Sequence, residues 1–255
     1  MTALITGSSS GIGLELAKIH ASKGGDLVLV SRDINSLNLL KAQLESDFKV
    51  KVYVLEKDLC VPNSALDVFN FTQQNNLQID YLINNAGFGL YGLFKDTEWE
   101  KESQMINLNM LTLTHLTKLY LPQMINRKSG KIMNVASTAA FQPGPLMSVY
   151  YATKAYVLSF SQALANEVKE YGITVTALCP GATQSNFQKV SGMDKSGLVR
   201  GKKLPTSKEV AEFGYSAMLR GDLIATHGLK NKIMTVLVRF VPNSILLSVT
   251  RKIQS

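Results

Sequence analysis

Residues 1–32, MTALITGSSSGIGLELAKIHASKGGDLVLVSR, place an apolar run, a glycine-rich turn, an amphipathic stretch and a second apolar run in that order. ALIT and DLVLVS are short, continuous and rich in branched residues, as strands buried on both faces are, and GIGLELAKIHASKG between them carries apolar residues at helical spacing. Strand, helix and strand joined by short turns make a parallel crossover unit. The alternation continues. VKVYVLEKD, IDYLINNAG, GKIMNVAS and GITVTALCPG read as strands, with INSLNLLKAQLES, SALDVFNFTQQNN, the 97–127 stretch and YYATKAYVLSFSQALANEVKEYG as helices between them, and DLIATHG is strand-like beyond them. The fold class is therefore α/β, a doubly wound parallel sheet with helices on both faces. In such sheets ligands bind beyond the carboxyl ends of the strands.

Every polar motif falls at one of those ends. TGSSSGIG follows the first strand and opens the first helix, so Gly7, Ser9, Ser10, Gly11, Ile12 and Gly13 form a turn that lets the backbone approach a pyrophosphate, whose charge the helix N-terminus would meet. The second strand ends in Ser31 and Arg32. An arginine here accommodates the 2′-phosphate of NADP, whereas a carboxylate would bind the NAD ribose; Asp33, one position late, is the rival. NADP (NADPH) is the expected cofactor, with NAD the alternative. Asp58 follows the third strand and would hold the adenine edge; the turn Asn84, Asn85, Ala86, Gly87 follows the fourth and would carry chain past the cofactor. These are also ordinary turn residues.

Ser137, Tyr150 and Lys154 lie in the stretch VASTAAFQPGPLMSVYYATKAYVLSFSQAL, which reads as strand, loop and helix. A four-residue spacing on a helix stacks Tyr150 and Lys154 on one face. A free phenol has a pKa of about 10, and bringing it near 7 would take roughly 3 units, about 4 kcal/mol, which a neighbouring ammonium could help supply. Ser137 at the end of its strand could hold a carbonyl oxygen facing the phenol. The plain alternative is a buried ring beside a snorkelling lysine.

Together TGSSSGIG, NNAG, Ser137 and Tyr150-x-x-x-Lys154 closely resemble the short-chain dehydrogenase/reductase family, single-domain branch, over about residues 2–185. The tail, with SKEVAE and LKNKIMTVLVRFVPNSILL, looks like the less characterised bacterial oxidoreductases of that family. The resemblance implies a Rossmann sheet, a nicotinamide cofactor and hydride transfer between it and a carbonyl or alcohol, with NADPH-dependent carbonyl reduction the expected direction. The alternative is a dinucleotide-binding sensor or interaction protein that kept the fold without turnover, against which an intact Ser, Tyr and Lys set counts. It implies that Tyr150 is the acid/base, that Lys154 binds the nicotinamide ribose and depresses the tyrosine pKa, and that Ser137 holds the substrate oxygen. The family's fourth member is an asparagine that anchors a water. MINLNML offers two, and Asn107 fits the Asn-Leu pattern better than Asn109. Tyr151 is expected to be packing. In CPGATQS, Pro180 and Gly181 would border the nicotinamide, with Thr183 and Ser185 as candidates for its carboxamide. Dimers or tetramers are common in the family, so a homo-oligomer is expected.

The 255 residues are 45% hydrophobic and 18% charged, enough for one sizeable core, and one domain is expected over 1–255. Within it, a substrate lid would occupy about 186–206 and a basic apolar extension about 229–255. Cys60 and Cys179 look like small core hydrophobes, which fits a reducing compartment. The chain opens on a strand, so no leader is expected and a cytoplasmic location is. His20, His115 and His227 lack metal-ligand spacing, and no metal is assigned.

Residues 1–185 hold 15 Lys+Arg and 15 Asp+Glu, whereas 186–255 hold 12 and 4. Lys189, Lys195, Lys202 and Lys203 in the lid could favour an acidic substrate or simply be solvated. The tail mixes apolar residues with Lys230, Lys232, Arg239, Arg251 and Lys252, and is too short and too charged to span a bilayer. It could lie on a membrane surface, pack on a subunit or cap the substrate pocket; ordinary packing is the default expectation. No basic-aromatic pattern points to nucleic acid.

Overall fold

The computed structural model describes residues 1–193, 196, 197, 199, 201 and 203–254, Lys189 by its backbone alone. Lys195 and Lys202, two of the lid lysines, lie outside the described residues. The elements run β1 (Thr2–Thr6), α1 (Gly11–Ser22), β2 (Asp26–Ser31), α2 (Ile34–Phe48), β3 (Val52–Glu56), α3 (Ser64–Gln74), β4 (Tyr81–Asn84) and α4 (Trp99–Ile106). A π-helical turn (Asn107–Thr112) joins α4 to α5 (Leu113–Asn126), and β5 (Gly130–Val135), α6 (Ser148–Val168), β6 (Ile173–Cys179), α7 (Phe187–Ser191), α8 (Ser207–Arg220), β7 (Ile224–Thr226), α9 (Leu229–Leu237) and α10 (Asn243–Gln254) follow. The strands form one parallel sheet in the order β3-β2-β1-β4-β5-β6-β7. The order reverses between β1 and β4, which opens a crevice at their carboxyl ends.

Alternation along the central strands explains the two layers. Ala3 and Ile5 of β1, with Leu27 and Leu29 of β2, pack under α1, α2 and α8 through Leu16, Leu37, Val210 and Tyr215. Leu4, Val28, Leu82 and Ile132 face the other way onto Val68 of α3, Tyr120 of α5 and Leu164 of α6. All of these side chains are buried. Burying each is worth roughly 1.5–3 kcal/mol, so the central strands are fixed from both sides. His20, away from the crevice, meets the Tyr215 hydroxyl at 2.8 Å and the Met1 carbonyl at 3.2 Å, tying α1 to α8.

No helix among the described residues is long and apolar enough to cross a membrane. The lid stretch, which shows no periodicity in sequence, contains the short helix α7. The tail forms α9 and α10, and Pro242 between them accepts the amides of Ile245 and Leu246 on its carbonyl.

Candidate active site

The crevice is a cavity of about 520 Å³ that runs from Gly7 and Arg32 at one end to Thr250 and Gln254 at the other. At the first end, Gly7 has φ +65°, and a Cβ on it would stand 2.9 Å from the Ala86 Cα. A Cβ on Gly13 would come within 2.3 Å of the Gly7 carbonyl oxygen. The turn therefore closes only with glycine at both positions. Asn85 holds it there. Its Nδ2 donates to the carbonyls of Thr6 at 2.9 Å and Gly7 at 3.1 Å, while the amides of Asn85 and Ala86 each donate to Thr6 Oγ1 at 3.0 Å. Helix α1 starts after Ser10, whose side chain makes no capping bond, and its first turn carries no acid. Its amide end thus opens into the cavity with its partial positive charge unspent, and with Ser9, Gly11 and Ile12 lining the wall it suits a pyrophosphate.

Ser31 donates to Ser9 at 2.8 Å and draws the end of β2 against this turn. Asp33, the rival to Arg32, is committed elsewhere. As N-cap of α2 it accepts from the Ser36 amide at 3.0 Å and the Ser36 hydroxyl at 2.6 Å, and these bonds hold its pKa below the usual value. Arg32 lines the cavity together with Lys57, Asp58 and Cys60. Asp58 accepts the Cys60 amide at 2.9 Å, closing the turn after β3.

At the middle of the cavity, Ser137 follows β5. Its Oγ accepts the Ala139 amide at 3.1 Å and donates to the Pro180 carbonyl at 3.5 Å, a weak bond that turning toward a substrate would cost little to break. Tyr150 and Lys154 stand on the cavity face of α6 one turn apart, both buried. Lys154 Nζ donates to the Val135 carbonyl at 2.7 Å and lies 5.9 Å from the centre of the Tyr150 ring. Burial lowers the Lys154 pKa to about 8, with no carboxylate beside it. The Tyr150 pKa is raised, first by burial; the Ser137 hydrogen bond opposes this and Tyr151 adds to it. The depression expected from Lys154 is not among these influences; desolvation sets the direction, and the phenol is protonated at neutral pH.

The two asparagines of MINLNML separate. Asn107 donates to the Cys60 carbonyl at 2.9 Å and so braces the Asp58–Cys60 turn. Asn109 is the one turned toward Lys154: a Cβ on Gly87 would stand 2.9 Å from Asn109 Oδ1 and 3.4 Å from Lys154 Nζ. Asn109 accepts the Phe88 amide at 3.2 Å and donates at 3.0 Å both to the Phe88 carbonyl and to Thr153 Oγ1, binding the NNAG turn to α6. The π-helical turn that contains both residues sets which one faces inward.

Pro180, Gly181, Thr183 and Ser185 follow β6 along the cavity wall. Thr183 donates to the Gly181 carbonyl at 2.9 Å, Ser185 to the Thr183 carbonyl at 3.3 Å, and the Gln188 amide reaches the same Thr183 carbonyl. Phe187 of α7 lies 5.4 Å from the Tyr150 ring, and Met105, Ala139, Met147, Tyr151 and Met193 complete an apolar chamber around that phenol. The far wall comes from the tail. Asn231, Met234, Thr235 and Val238 of the α9 segment and Thr250, Ile253 and Gln254 of α10 line it. Gln254 donates to the Tyr151 hydroxyl at 2.6 Å, its carbonyl accepts the Tyr91 hydroxyl at 2.8 Å, and its Oε1 is buried without a partner. Tyr151 is therefore more than packing, and Gln254 was missed in sequence. The available signal was the spacing Leu246, Thr250, Gln254, one helical stripe with two polar members.

A parallel sheet with a phosphate-type turn at its crossover, leading to a buried hydroxyl, phenol and ammonium, defines a dinucleotide-dependent oxidoreductase. The short chain dehydrogenase family model matches residues 1–196. An uncharacterised oxidoreductase of Staphylococcus epidermidis is 34% identical over 179 residues, 70% of this chain and 76% of that protein. The very-long-chain 3-oxoacyl-CoA reductase of Mus musculus is 33% identical over 198 residues, 74% of this chain but 61% of the mouse protein. A short-chain dehydrogenase from Sphingobium yanoikuyae, solved in complex with NADPH, superposes with a TM-score of 0.83 at 32% identity, covering 94% of this chain and 96% of that one. The chain belongs to the short-chain dehydrogenase family and is an NAD(P)-dependent enzyme acting on CH–OH or C=O groups.

Proposed function

We propose that the enzyme is an NADPH-dependent reductase of a bulky, largely apolar ketone, and that Tyr150 is its proton donor. The observation that carries this reading is the buried Tyr150 between Ser137 and an apolar chamber, in a cavity continuous with Arg32. The residues along the first half of that cavity fit a dinucleotide: the uncapped start of α1 for the pyrophosphate, Arg32 for a 2′-phosphate, Asp58 for the adenine edge, and Lys154 for the nicotinamide ribose. The reduced nicotinamide supplies the hydride that reaches the carbonyl carbon.

Ser137 Oγ–H turns from Pro180 to the carbonyl oxygen, and Tyr150 Oη–H donates its proton to that same oxygen as the alcohol forms. The phenol begins the step protonated, as the reductive direction requires, and gives up its proton as negative charge develops on the substrate oxygen. The phenolate left behind is then stabilised by the Lys154 ammonium. Asn109, the asparagine turned toward Lys154, takes the fourth place in this set, and Asn107 supports the adenine side. Within the expected lid stretch, Phe187 of α7 stands against the Tyr150 ring and would exclude water from it. The very-long-chain substrate in the name of the mouse relative and the apolar walls of this cavity both support a bulky or lipid-like carbonyl.

The reading is tested by following NADPH oxidation with a panel of aliphatic and aryl ketones, in wild type and Tyr150→Phe. Turnover that falls about 10²- to 10⁴-fold in the variant, with NADPH still bound, is the expected result. Equal turnover in both proteins would remove Tyr150 from the chemistry.

A further inference from the structure

Residues 229–254 expose an unusual amount of apolar surface. The side chains that the α9 segment and α10 turn toward the protein include the polar Thr235, Thr250 and Gln254, all buried, beside the apolar Val238 and Leu246. Among the exposed side chains many are large and apolar: Leu229 is 75% and Phe240 80% exposed, and Ile233, Leu237, Ile245 and Val249 are exposed as well. A water-facing helix ordinarily keeps such residues on its inner face. Exposed apolar side chains gathered on one segment mark an interaction surface.

The charges identify what it meets. Residues 229–255 contain Lys230, Lys232, Arg239, Arg251 and Lys252 and no aspartate or glutamate. A second copy of the chain docking through this face about a two-fold axis would set these basic side chains against each other with no acidic side chain in the segment to neutralise them. An anionic lipid surface offers phosphates to the cations and acyl chains to the apolar side chains. With 9 and 12 residues, α9 and α10 are too short to span a bilayer and suit its interface.

We propose that the outward face of α9 and α10 is a monotopic docking site for anionic membranes, inserted to the depth of Leu237 and Phe240 with Lys230, Lys232 and Arg239 at the headgroup phosphates. The inner faces of the same helices line the cavity, so docking sets the substrate entrance at the lipid boundary. The proposal does not depend on the reductase reading, and its readout is partitioning, not turnover.

The full chain is sedimented with vesicles of phosphatidylcholine alone and of phosphatidylcholine with about one-third phosphatidylglycerol, at about 0.1 M and about 1 M salt. Partitioning onto the anionic vesicles that weakens at high salt is expected. It should fall about fivefold in Arg239→Gln, and at least about tenfold in Leu237→Ser/Phe240→Ser. Unchanged melting temperature and far-ultraviolet circular dichroism show that these variants are folded; none of the three residues lines the cavity. The proposal is overturned by absence of binding to either vesicle, or by equal, salt-independent binding to both. It is also overturned by a wild-type oligomer that Leu237→Ser/Phe240→Ser converts to monomer, which would make the face a subunit interface.

Discussion

Gln254 near the end of α10 donates its side-chain amide to the hydroxyl of Tyr151 on α6 at 2.6 Å, across 103 positions of sequence. The bond joins the tail to the helix that carries Tyr150, and the opposite amide atom, Oε1, remains buried without a partner. An orphan acceptor in an apolar wall costs about 1–3 kcal/mol until something donates to it. A substrate with a hydroxyl or amide placed to reach it would recover that cost.

Gln254→Leu should therefore change substrate choice more than stability. The KM for ketones carrying a hydrogen-bond donor is expected to rise at least about threefold relative to matched hydrocarbons, consistent with about 1 kcal/mol for one such bond. NADPH affinity, measured by fluorescence titration, should stay within about twofold because Gln254 stands at the far end of the cavity.

Arg32 and Asp33 separate recognition from folding. Arg32→Ala should weaken NADPH by at least about tenfold and leave NADH unchanged, because only the former presents a 2′-phosphate. Asp33→Ala should lower the melting temperature slightly through loss of the α2 cap, with the NADPH to NADH ratio unaltered. Calorimetric titration of both cofactors on both variants checks this; a cofactor switch in Asp33→Ala would reverse the assignment.

Asn109 and Asn107 form a second contrast. Asn109→Ala removes three hydrogen bonds that tie Phe88 to Thr153, and turnover is expected to fall about 10²-fold through displacement of Lys154. Asn107→Ala loses one bond to the Cys60 carbonyl and should retain most of its kcat. Similar losses of kcat in the two would show that neither is distinguished by its position.

Lys154 gives a pH signature. Its folded pKa of about 8 lies below its ordinary 10.5, so above pH 8 the unfolded chain binds more protons than the folded one and stability rises with pH. At about 1.4 kcal/mol per unit, this shift of about 2.5 units corresponds to about 3 kcal/mol of burial cost at neutral pH. In the same range the half-buried Cys60 and the buried Cys179, both pushed up to about 12 by burial, oppose this rise as their unfolded thiols ionise, so the lysine is isolated by comparison with a variant that keeps both cysteines. Urea unfolding should show wild type gaining about 1 kcal/mol over Lys154→Met from pH 8 to 9. A constant difference would mean that Lys154 keeps its ordinary pKa and stays an ammonium in the fold through pH 9.

The strands were legible because DLVLVS, KIMNV and ITVTALC are continuous apolar runs that only a doubly covered sheet can bury, and the gathering of Ser137, Tyr150 and Lys154 at one crevice follows from strand order. Three features were not legible, each for a physical reason. The inward choice of Asn109 over Asn107 depends on a π-helical turn that no spacing rule anticipates. The direction of the Tyr150 shift depends on desolvation, which is set by Phe187, Met147 and Tyr151 closing around the ring. The pocket-facing role of Thr250 and Gln254 depends on where the tail returns to the sheet, which the spacing within α10 does not record.

The π-helical turn at Asn107–Thr112 makes the length of a segment, rather than the letters in it, decide which side chain meets the lysine. Deleting one residue there would let the long helix regain ordinary winding and rotate the inward position by about 100°. Every amino acid of the site could be kept and the site still dismantled. Grafting this site onto a related scaffold would accordingly require matching the residue count between the NNAG turn and α5 before matching any side chain.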